Sequence, residues 1–496
     1  MEPAYDHRRL GRELELFGTD PLMGAGLPYW LPDGAVVRHA LEEYLRDVER
    51  SAGYRHVYSP VLGKRELYEI SGHWEHYRDD MFPPMEVGAE EVVLRPSLCP
   101  HHALIYRARA RSYRELPLRI AELGAMYRAE LSGVLGGLTR VRGIQLNDGH
   151  VFCTGEQAVD EAGAALEMIR RAYADLGISA ARYRLSLPGA GDKGGKYVDD
   201  ERLWRRATAL LRDVLDAAGV AYEAVEGEAA FYGPKVDVQV VDAAGREATL
   251  STVQIDFYQP ERFGLQYVGA DGGKHRPVMV HRSVIGSAER AVAQLIEVHG
   301  GAFPVWLAPV QLVVMPVVEA QRGWAEEVVR RALGRGVRAE VAGAEQGSLG
   351  ARIRAARYVP YQVVVGEREV QDEAVSLRLR DGRRWGASAR TTWWTGSSPG
   401  SRLAAPRCGN PRRVARVGRG RTGPVRRAPR EGAPRERSAH PGDHRLRHRR
   451  RRRPCPAVRR TAPGDRPARR HLRRREHRRG RRRTEHAHRA GAGGRR

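Results

Sequence analysis

Met126-Tyr-Arg128-Ala-Glu130, a glycine-rich turn from Gly133 to Gly137, Thr139-Arg140-Val-Arg142-Gly-Ile144 and Asn147-Asp148-Gly-His150-Val-Phe-Cys153 follow one another in the first third of the chain. From Glu91 to Val151 short apolar runs alternate with charged residues. That pattern predicts an antiparallel sheet rather than repeated strand–helix–strand units. Arg128 and Glu130 are two apart on a predicted strand, so both side chains face one way. A guanidinium and a carboxylate side by side can hold a phosphate and an amine or metal at once. Arg140, beyond the turn, is placed to return on the neighbouring strand. For any one of these arginines a surface salt bridge is the commoner role, and it is the joint pattern that carries weight.

Outward from this stretch the elements order themselves. Val37, Leu41, Tyr44, Leu45 and Val48 recur at helical spacing over 34–50, with Gly53 as a stop signal, and an extended run ends at Pro60. Thr154-Gly-Glu-Gln157 has the capping-box form and predicts a helix carrying Val159, Ala162, Leu166, Ile169 and Tyr173. Residues 236–257 read as a hairpin turning at Asp242-Ala-Ala-Gly245. After Ala308-Pro309 strands are predicted at 310–315, 337–342, 361–365 and 374–380, with helices at 318–334 and 348–358 between them. This is a small α/β domain with a largely parallel core. The expected division is 1–304, 305–384 and a tail over 385–496.

The formal charge of +25 belongs to the tail. Residues 401–496 hold 35 Arg and 6 acidic residues, which leaves 50 basic and 54 acidic residues in 1–400. A basic nucleic-acid binder along its whole length is therefore excluded. The tail is rich in Arg, Pro, Gly and His and lacks aliphatic periodicity, so disorder is expected. It reads either as an RNA-binding arm or as the translation of a wrong frame in a GC-rich gene. The loss of patterning inside an unfinished domain favours the second. Two Cys in the body and two in the tail make no disulfide framework. The polar N-terminus shows no signal peptide. The near-apolar run 305–318 falls short of the ~20 residues of a membrane span. A cytoplasmic protein with no membrane association is expected.

Two further segments set polar residues among apolar ones. They are Leu94-Arg95-Pro-Ser-Leu-Cys99-Pro-His101-His102 and Val278-Met-Val-His281-Arg-Ser-Val-Ile-Gly286-Ser-Ala-Glu289-Arg290. Cys99, His150 and His281, each read as lying on an apolar strand, form a three-ligand set. Three protein ligands with an open fourth position suit a substrate-binding or catalytic zinc. A lone buried Cys or His is more often a packed core residue. Cys153, three residues from His150 on a strand, should face the other way and belong to the core. Arg290 follows a strand–Gly–helix transition, a seat for a terminal phosphate.

These segments resemble the catalytic core and anticodon-binding domain of the threonyl-tRNA synthetases, class II aminoacyl-tRNA synthetases, from about Asp6 to Arg384. The helix and strand ending at Pro60 resemble motif 1, Arg128-Ala-Glu130 through Ile144 motif 2, and Gly286-Ser-Ala-Glu-Arg290 motif 3. Ser112-Tyr-Arg-Glu-Leu-Pro-Leu-Arg, Ala230-Phe-Tyr-Gly-Pro-Lys235, Val253-Gln254-Ile-Asp256-Phe and Pro277-Val-Met-Val-His281-Arg resemble this one specificity. The resemblance implies an α+β catalytic domain, an antiparallel sheet flanked by helices, followed by the small α/β domain. It implies activation of threonine by ATP and its transfer to tRNA(Thr), in a homodimer. Arg128 would bridge the α-phosphate and the carboxylate, Arg290 would hold the γ-phosphate, and Glu130, Arg140, Ile144 and Gln254 would line the ATP site with Mg²⁺.

The resemblance further implies one zinc per subunit on Cys99, His150 and His281. It places Asp148, Tyr232 and Leu146 by the amino acid, and His73 and Lys235 in catalysis. His73 would stand near the terminal ribose of the tRNA. Zinc answers a physical problem, since an apolar pocket separates threonine from valine only ~10–200-fold. A metal bound by amine and hydroxyl rejects valine but not serine. Because the pattern begins by residue 6, a short form without N-terminal editing domains is expected.

Several positions depart from the family pattern. Ile144 stands for a phenylalanine that stacks on adenine, Leu146 for a glutamine, Ser97-Leu98 for Met-Asn, and His101 for glycine. Two other readings follow from these departures. One is a paralogue that activates threonine or a related β-hydroxy amino acid for a non-tRNA acceptor; the other is a non-catalytic tRNA-binding relative. Trimming the chain after Arg384 should remove nonspecific, salt-sensitive RNA binding. A titration against salt checks this, and an unchanged slope would refute it.

Overall fold

The computed structural model describes residues 5–189 and 196–385. Its main sheet has eight strands in the order Tyr222–Glu226, Arg182–Leu187, Lys235–Val241, Glu247–Asp256, Val278–Ser287, Gly143–Cys153, Leu118–Tyr127 and Arg55–His56. The outermost pair at each end is parallel and the inner pairs are antiparallel. The antiparallel pairing expected between Glu91 and Val151 is that of Leu118–Tyr127 with Gly143–Cys153. Glu90–Leu94 instead joins a separate sheet with Leu62–Lys64 and Met85–Val87.

Residues directly opposite one another in neighbouring strands share a face of the sheet. One row therefore reads Lys235, Gln254, His281 and His150, and the next Asp237, Thr252, Ser283, Asp148 and Glu122. The row between them, Val236, Val253, Arg282, Gly149 and Ala121, and the row beyond His281, Ile255, Val280 and Val151, face the other way. That second face is the core. It packs against the helices Pro32–Ser51 (Val37, Leu41, Leu45), Ala158–Leu176 (Ala162, Leu166, Ile169) and Ala288–His299 (Leu295, Ile296). Burying each such aliphatic side chain contributes about 1.5–3 kcal/mol. One face is thus fixed by packing, which leaves the polar face to carry a site.

The helix expected after Thr154 starts four residues later, at Ala158. Gln157 turns back to accept from the backbone N–H of Thr154 at 3.0 Å, so the four residues form a turn ahead of the helix. The helix ends at Gly177, whose φ of +70° lets the chain reverse. Of the extended run ending at Pro60, only Arg55–His56 pairs with the sheet. The predicted hairpin is Lys235–Val241 with Glu247–Asp256, irregular between Val238 and Gln239.

The second sheet runs Ala339–Val341, Leu312–Pro316, Tyr361–Val365, Ser376–Leu379 and Arg384–Trp385, with its first three strands parallel. Its helices are Arg322–Leu333, preceded by a 3-10 turn at Glu319–Gln321, Leu349–Ala355 and the short Glu367–Gln371. The tail from 386 onward lies outside the described residues.

Gly286 interrupts the register between Ser283 and Ser287, so that Ser287 caps the helix Ala288–His299. Its φ is +64°, and an added Cβ would sit 2.4 Å from the carbonyl oxygen of Leu250. Gly286→Ala should therefore destabilise the fold by about 2 kcal/mol or more. A shift in the midpoint of chemical denaturation checks it.

Candidate active site

At one end of the polar face lie Cys99, His150 and His281, whose ligand atoms all fall within 4.8 Å of one another. The two histidines are directly opposite on neighbouring strands, with His150 Nε2 3.0 Å from His281 Nδ1. Cys99 does not lie on a strand as expected; it opens the helix Cys99–Arg107. Pro100 follows it in the first turn, where a missing N–H is tolerated. Cys153 packs in the helix-side core, away from His150.

Hydrogen bonds fix the protons on the two rings. His281 Nε2 lies 2.8 Å from Asp256 Oδ2, and His150 Nδ1 lies 2.7 Å from His102 Nδ1. His102 Nε2 in turn meets Glu122 Oε2 at 3.3 Å. Carboxylates accept, so each outer nitrogen carries its proton or donates toward the relay. With each ring neutral, His150 Nε2 and His281 Nδ1 are the two lone pairs that face each other. Two lone pairs converging at 3.0 Å beside a thiol are a donor set for a borderline or soft cation. Burial pushes the Cys99 thiol up to about 12, so a neighbouring positive charge is what would hold it as thiolate.

Around this cluster stand the other residues expected of an amino-acid pocket. Tyr232 stacks on His281 with ring centres 5.0 Å apart and donates to Gln254 Oε1 at 2.7 Å. Burial raises the Asp148 carboxyl to about 6. His73 is held between Ser71 Oγ, 2.8 Å from Nδ1, and Ser97 Oγ, 2.9 Å from Nε2. Because Ser71 Oγ donates to the carbonyl of Tyr68, it accepts from Nδ1–H, which leaves Nε2 as the basic atom. Burial, then Arg128, lowers the His73 pKa to about 3, so the ring is neutral. Lys235 is tied to Asp237 at 2.9 Å.

Positive charge gathers at the other end. Arg128 and Glu130 lie just past the end of the strand Leu118–Tyr127, rather than two apart on it. There the backbone peels away: Arg128 N–H donates to Arg142 O and Ala129 N–H to Asp80 O. Arg140 sits before the strand Gly143–Cys153 and pairs with Glu130 at 2.7 Å. Arg290 donates to the carbonyls of Thr139 (3.1 Å) and Thr249 (2.7 Å). Burial, and after it Arg128 and Arg140, push the Arg290 pKa down. A buried guanidinium facing two others makes a seat for a multiply charged anion. The buried Nε of Arg128 has no protein partner. Ile144 and Leu146 are half-buried on the strand that runs between the two ends.

Behind the sheet a buried ion pair supports the same strands. Arg282 meets Glu49 of the helix Pro32–Ser51 at 2.7 Å, both side chains 0–1% exposed. Glu49 also accepts from Asn147 Nδ2 (2.8 Å) and bonds His56 Nε2 (2.6 Å). Gly149 makes room, because a Cβ there would lie 2.5 Å from the guanidinium carbon of Arg282. Sequence reasoning assigned no role to His102, Glu122, Asp256, Ser71 or this pair. Glu122 and Arg282 each gave a signal, a charged residue within an apolar strand.

The likeness to known proteins follows the same lines. The families described as tRNA synthetase class II core domain (G, H, P, S and T) and anticodon binding domain match residues 85–299 and 311–388. A prolyl-tRNA synthetase from Giardia lamblia, 17% identical, superposes with a TM-score of 0.60 over 77% of this chain and 75% of its own, which shows the fold alone. Fold and site together define a class II aminoacyl-tRNA synthetase core joined to an anticodon-binding domain.

Within that class, a threonine–tRNA ligase from Geobacillus kaustophilus is 53% identical over 376 residues, 75% of this chain and 57% of its own length. A structure of the RNA-binding domain of the threonyl-tRNA synthetase of Cryptosporidium parvum is 36% identical, with a TM-score of 0.71 over 76% of this chain and 93% of that one. The chain belongs to the threonyl-tRNA synthetase family. It spans a little under three fifths of the length of the Geobacillus relative.

The buried pair yields a pH-dependent expectation. Burial alone would raise the Glu49 pKa, but Arg282, His56 and Asn147 outweigh it and hold it below the usual range. A depressed carboxyl contributes stability above its unfolded value, and that stability is lost as pH falls through the folded one. Glu49→Gln should lose about 3 kcal/mol near neutral pH. The gap to the parent should narrow from about pH 4 downward. Urea denaturation at several pH values checks both.

Proposed function

We propose that the chain catalyses ATP-dependent attachment of threonine to tRNA(Thr) through threonyl-adenylate. The observation that carries the proposal is one polar sheet face with a Cys–His–His ligand set at one end and Arg128, Arg140 and Arg290 gathered at the other. In the first step the threonine carboxylate attacks the α-phosphorus of ATP, the bond to the bridging oxygen breaks, and pyrophosphate leaves. Arg128 orients the carboxylate and the α-phosphate, and Arg290 holds the γ-phosphate. Glu130, Arg140, Gln254 and Ile144 line the nucleotide, whose phosphates carry Mg²⁺. Such positioning and charge neutralisation are what in-line displacement at phosphorus requires.

In the second step the ribose hydroxyl at the tRNA terminus attacks the adenylate carbonyl, and AMP leaves. His73 Nε2 is placed to take the hydroxyl proton. Lys235, held by Asp237 on the same face, completes the catalytic set.

Cys99, His150 and His281 fit a zinc ion, one per subunit. When bound, zinc would supply a Lewis acid able to take an amine together with a hydroxyl, a pair that threonine offers and valine does not. Asp148 accepts from the hydroxyl, and Tyr232 and Leu146 line the side-chain pocket. The domain division at 304 and 384, a homodimer and a cytoplasmic location belong to the same reading. Among the described residues no helix is long and apolar enough to cross a membrane.

Charging of tRNA(Thr) with labelled threonine tests the reading, with adenylate formation read separately. Threonine should support both activities and valine neither. Arg290→Ala should lower adenylate formation roughly 10²–10³-fold. Adenylate without charging would point to a non-tRNA acceptor. Failure to bind ATP would point to a non-catalytic relative.

A further inference from the structure

Glu122 is 3% exposed and accepts from four donors: Ser59 N (3.2 Å), Ser59 Oγ (2.7 Å), Arg95 Nη2 (3.0 Å) and His102 Nε2 (3.3 Å). Arg95 is itself buried. Its other nitrogens donate to Ala125 O (2.6 Å), Ser59 O (3.1 Å), Ser59 Oγ (2.7 Å) and Pro60 O (3.2 Å). The carboxylate is therefore locked in place and ionised, and an ionised carboxylate can only accept. His102 Nε2 must carry the ring proton. Its Nδ1 is then a bare acceptor, 2.7 Å from His150 Nδ1, with the two rings edge to face at 89°. That acceptor fixes the proton of His150 on Nδ1 and leaves its Nε2 lone pair pointing at His281. The other histidine is fixed directly by Asp256. His102 does the same for His150 at one remove, through a neutral ring.

We propose that His102 is a positioning residue which, through Glu122, sets the tautomer and orientation of His150 and thereby the affinity of the Cys99–His150–His281 site for zinc. This rests on the zinc reading given above. His102 touches neither the substrate nor the metal. Its side chain is fully buried, so it acts only through the ring it faces. The relay starts at Ser59, on the stretch that follows Arg55–His56, and at Arg95, directly after Glu90–Leu94, so the same contacts tie both stretches to the ligand set.

The test uses the full chain and zinc alone, in competition with a chromophoric chelator. His102→Leu removes the acceptor but keeps the bulk, and it should bind zinc about 10–100-fold more weakly. His102→Asn can place Oδ1 where Nδ1 stood and should recover most of that loss. His102→Gln places its amide near the former Nε2 and should not. The ranking of Asn above Gln decides the matter even where His102→Leu does not fold. A role in packing alone would not produce it. Equal zinc affinity in the parent and the variants, or equal loss in Asn and Gln, would overturn the relay alone. A parent chain with no tight zinc site would overturn the zinc reading and the relay with it.

Discussion

Two imidazole nitrogens, His150 Nε2 and His281 Nδ1, face each other at 3.0 Å with their outer nitrogens already engaged, and most of the site follows from that constraint. It requires the strands Gly143–Cys153 and Val278–Ser287 to be in one register, since a slip of one residue would send one histidine to the opposite face. That register places Gln254 and Lys235 in the same row, with Asp148 and Glu122 in the next. It also fixes Arg282 on the far face, where Glu49 and the gap left by Gly149 receive it. A charge pair buried this deeply adds little net stability over an apolar pair. It does make any other register costly, because a shifted strand would leave a buried guanidinium without its carboxylate.

The two ends of the polar face have opposite electrostatic character. Histidines, a thiol and carboxylates at one end suit a cation and an amine, and guanidiniums at the other suit phosphates. Arg128 stands between them: after burial, it is the next cause of the lowered pKa of His73 on one side and of Arg290 on the other. A reaction that joins a carboxylate to a phosphate needs its charges separated in that way. The local departures from the family pattern, Ile144 and Leu146, lie on the strand linking the ends and leave both charge clusters intact.

The residues with unusual chemistry were legible in the sequence because an apolar strand that carries a histidine or an arginine stands out. His150 and His281 were found in that way, Arg128 from a carboxylate two residues on, Cys99 as the soft member of a three-ligand set and Arg290 behind a strand–Gly–helix transition. The backbone around two of them was not. Cys99 was read as lying on a strand, yet Pro100 sits in the first turn of a helix, where its missing N–H is tolerated. Arg128 and Glu130 leave the strand because Ala129 bonds Asp80, a contact 49 residues away that no local pattern records. His102 and Glu122 acquire roles only from the register of strands and the angle of a helix, so their meaning is tertiary.

Zinc-edge X-ray absorption on the purified chain measures the central claim most directly. The account predicts one tightly held zinc with a single sulfur at about 2.3 Å and two imidazole nitrogens at about 2.0–2.1 Å, the remaining position taken by a light atom. A chain without zinc, or zinc ringed only by nitrogen and oxygen, would contradict it.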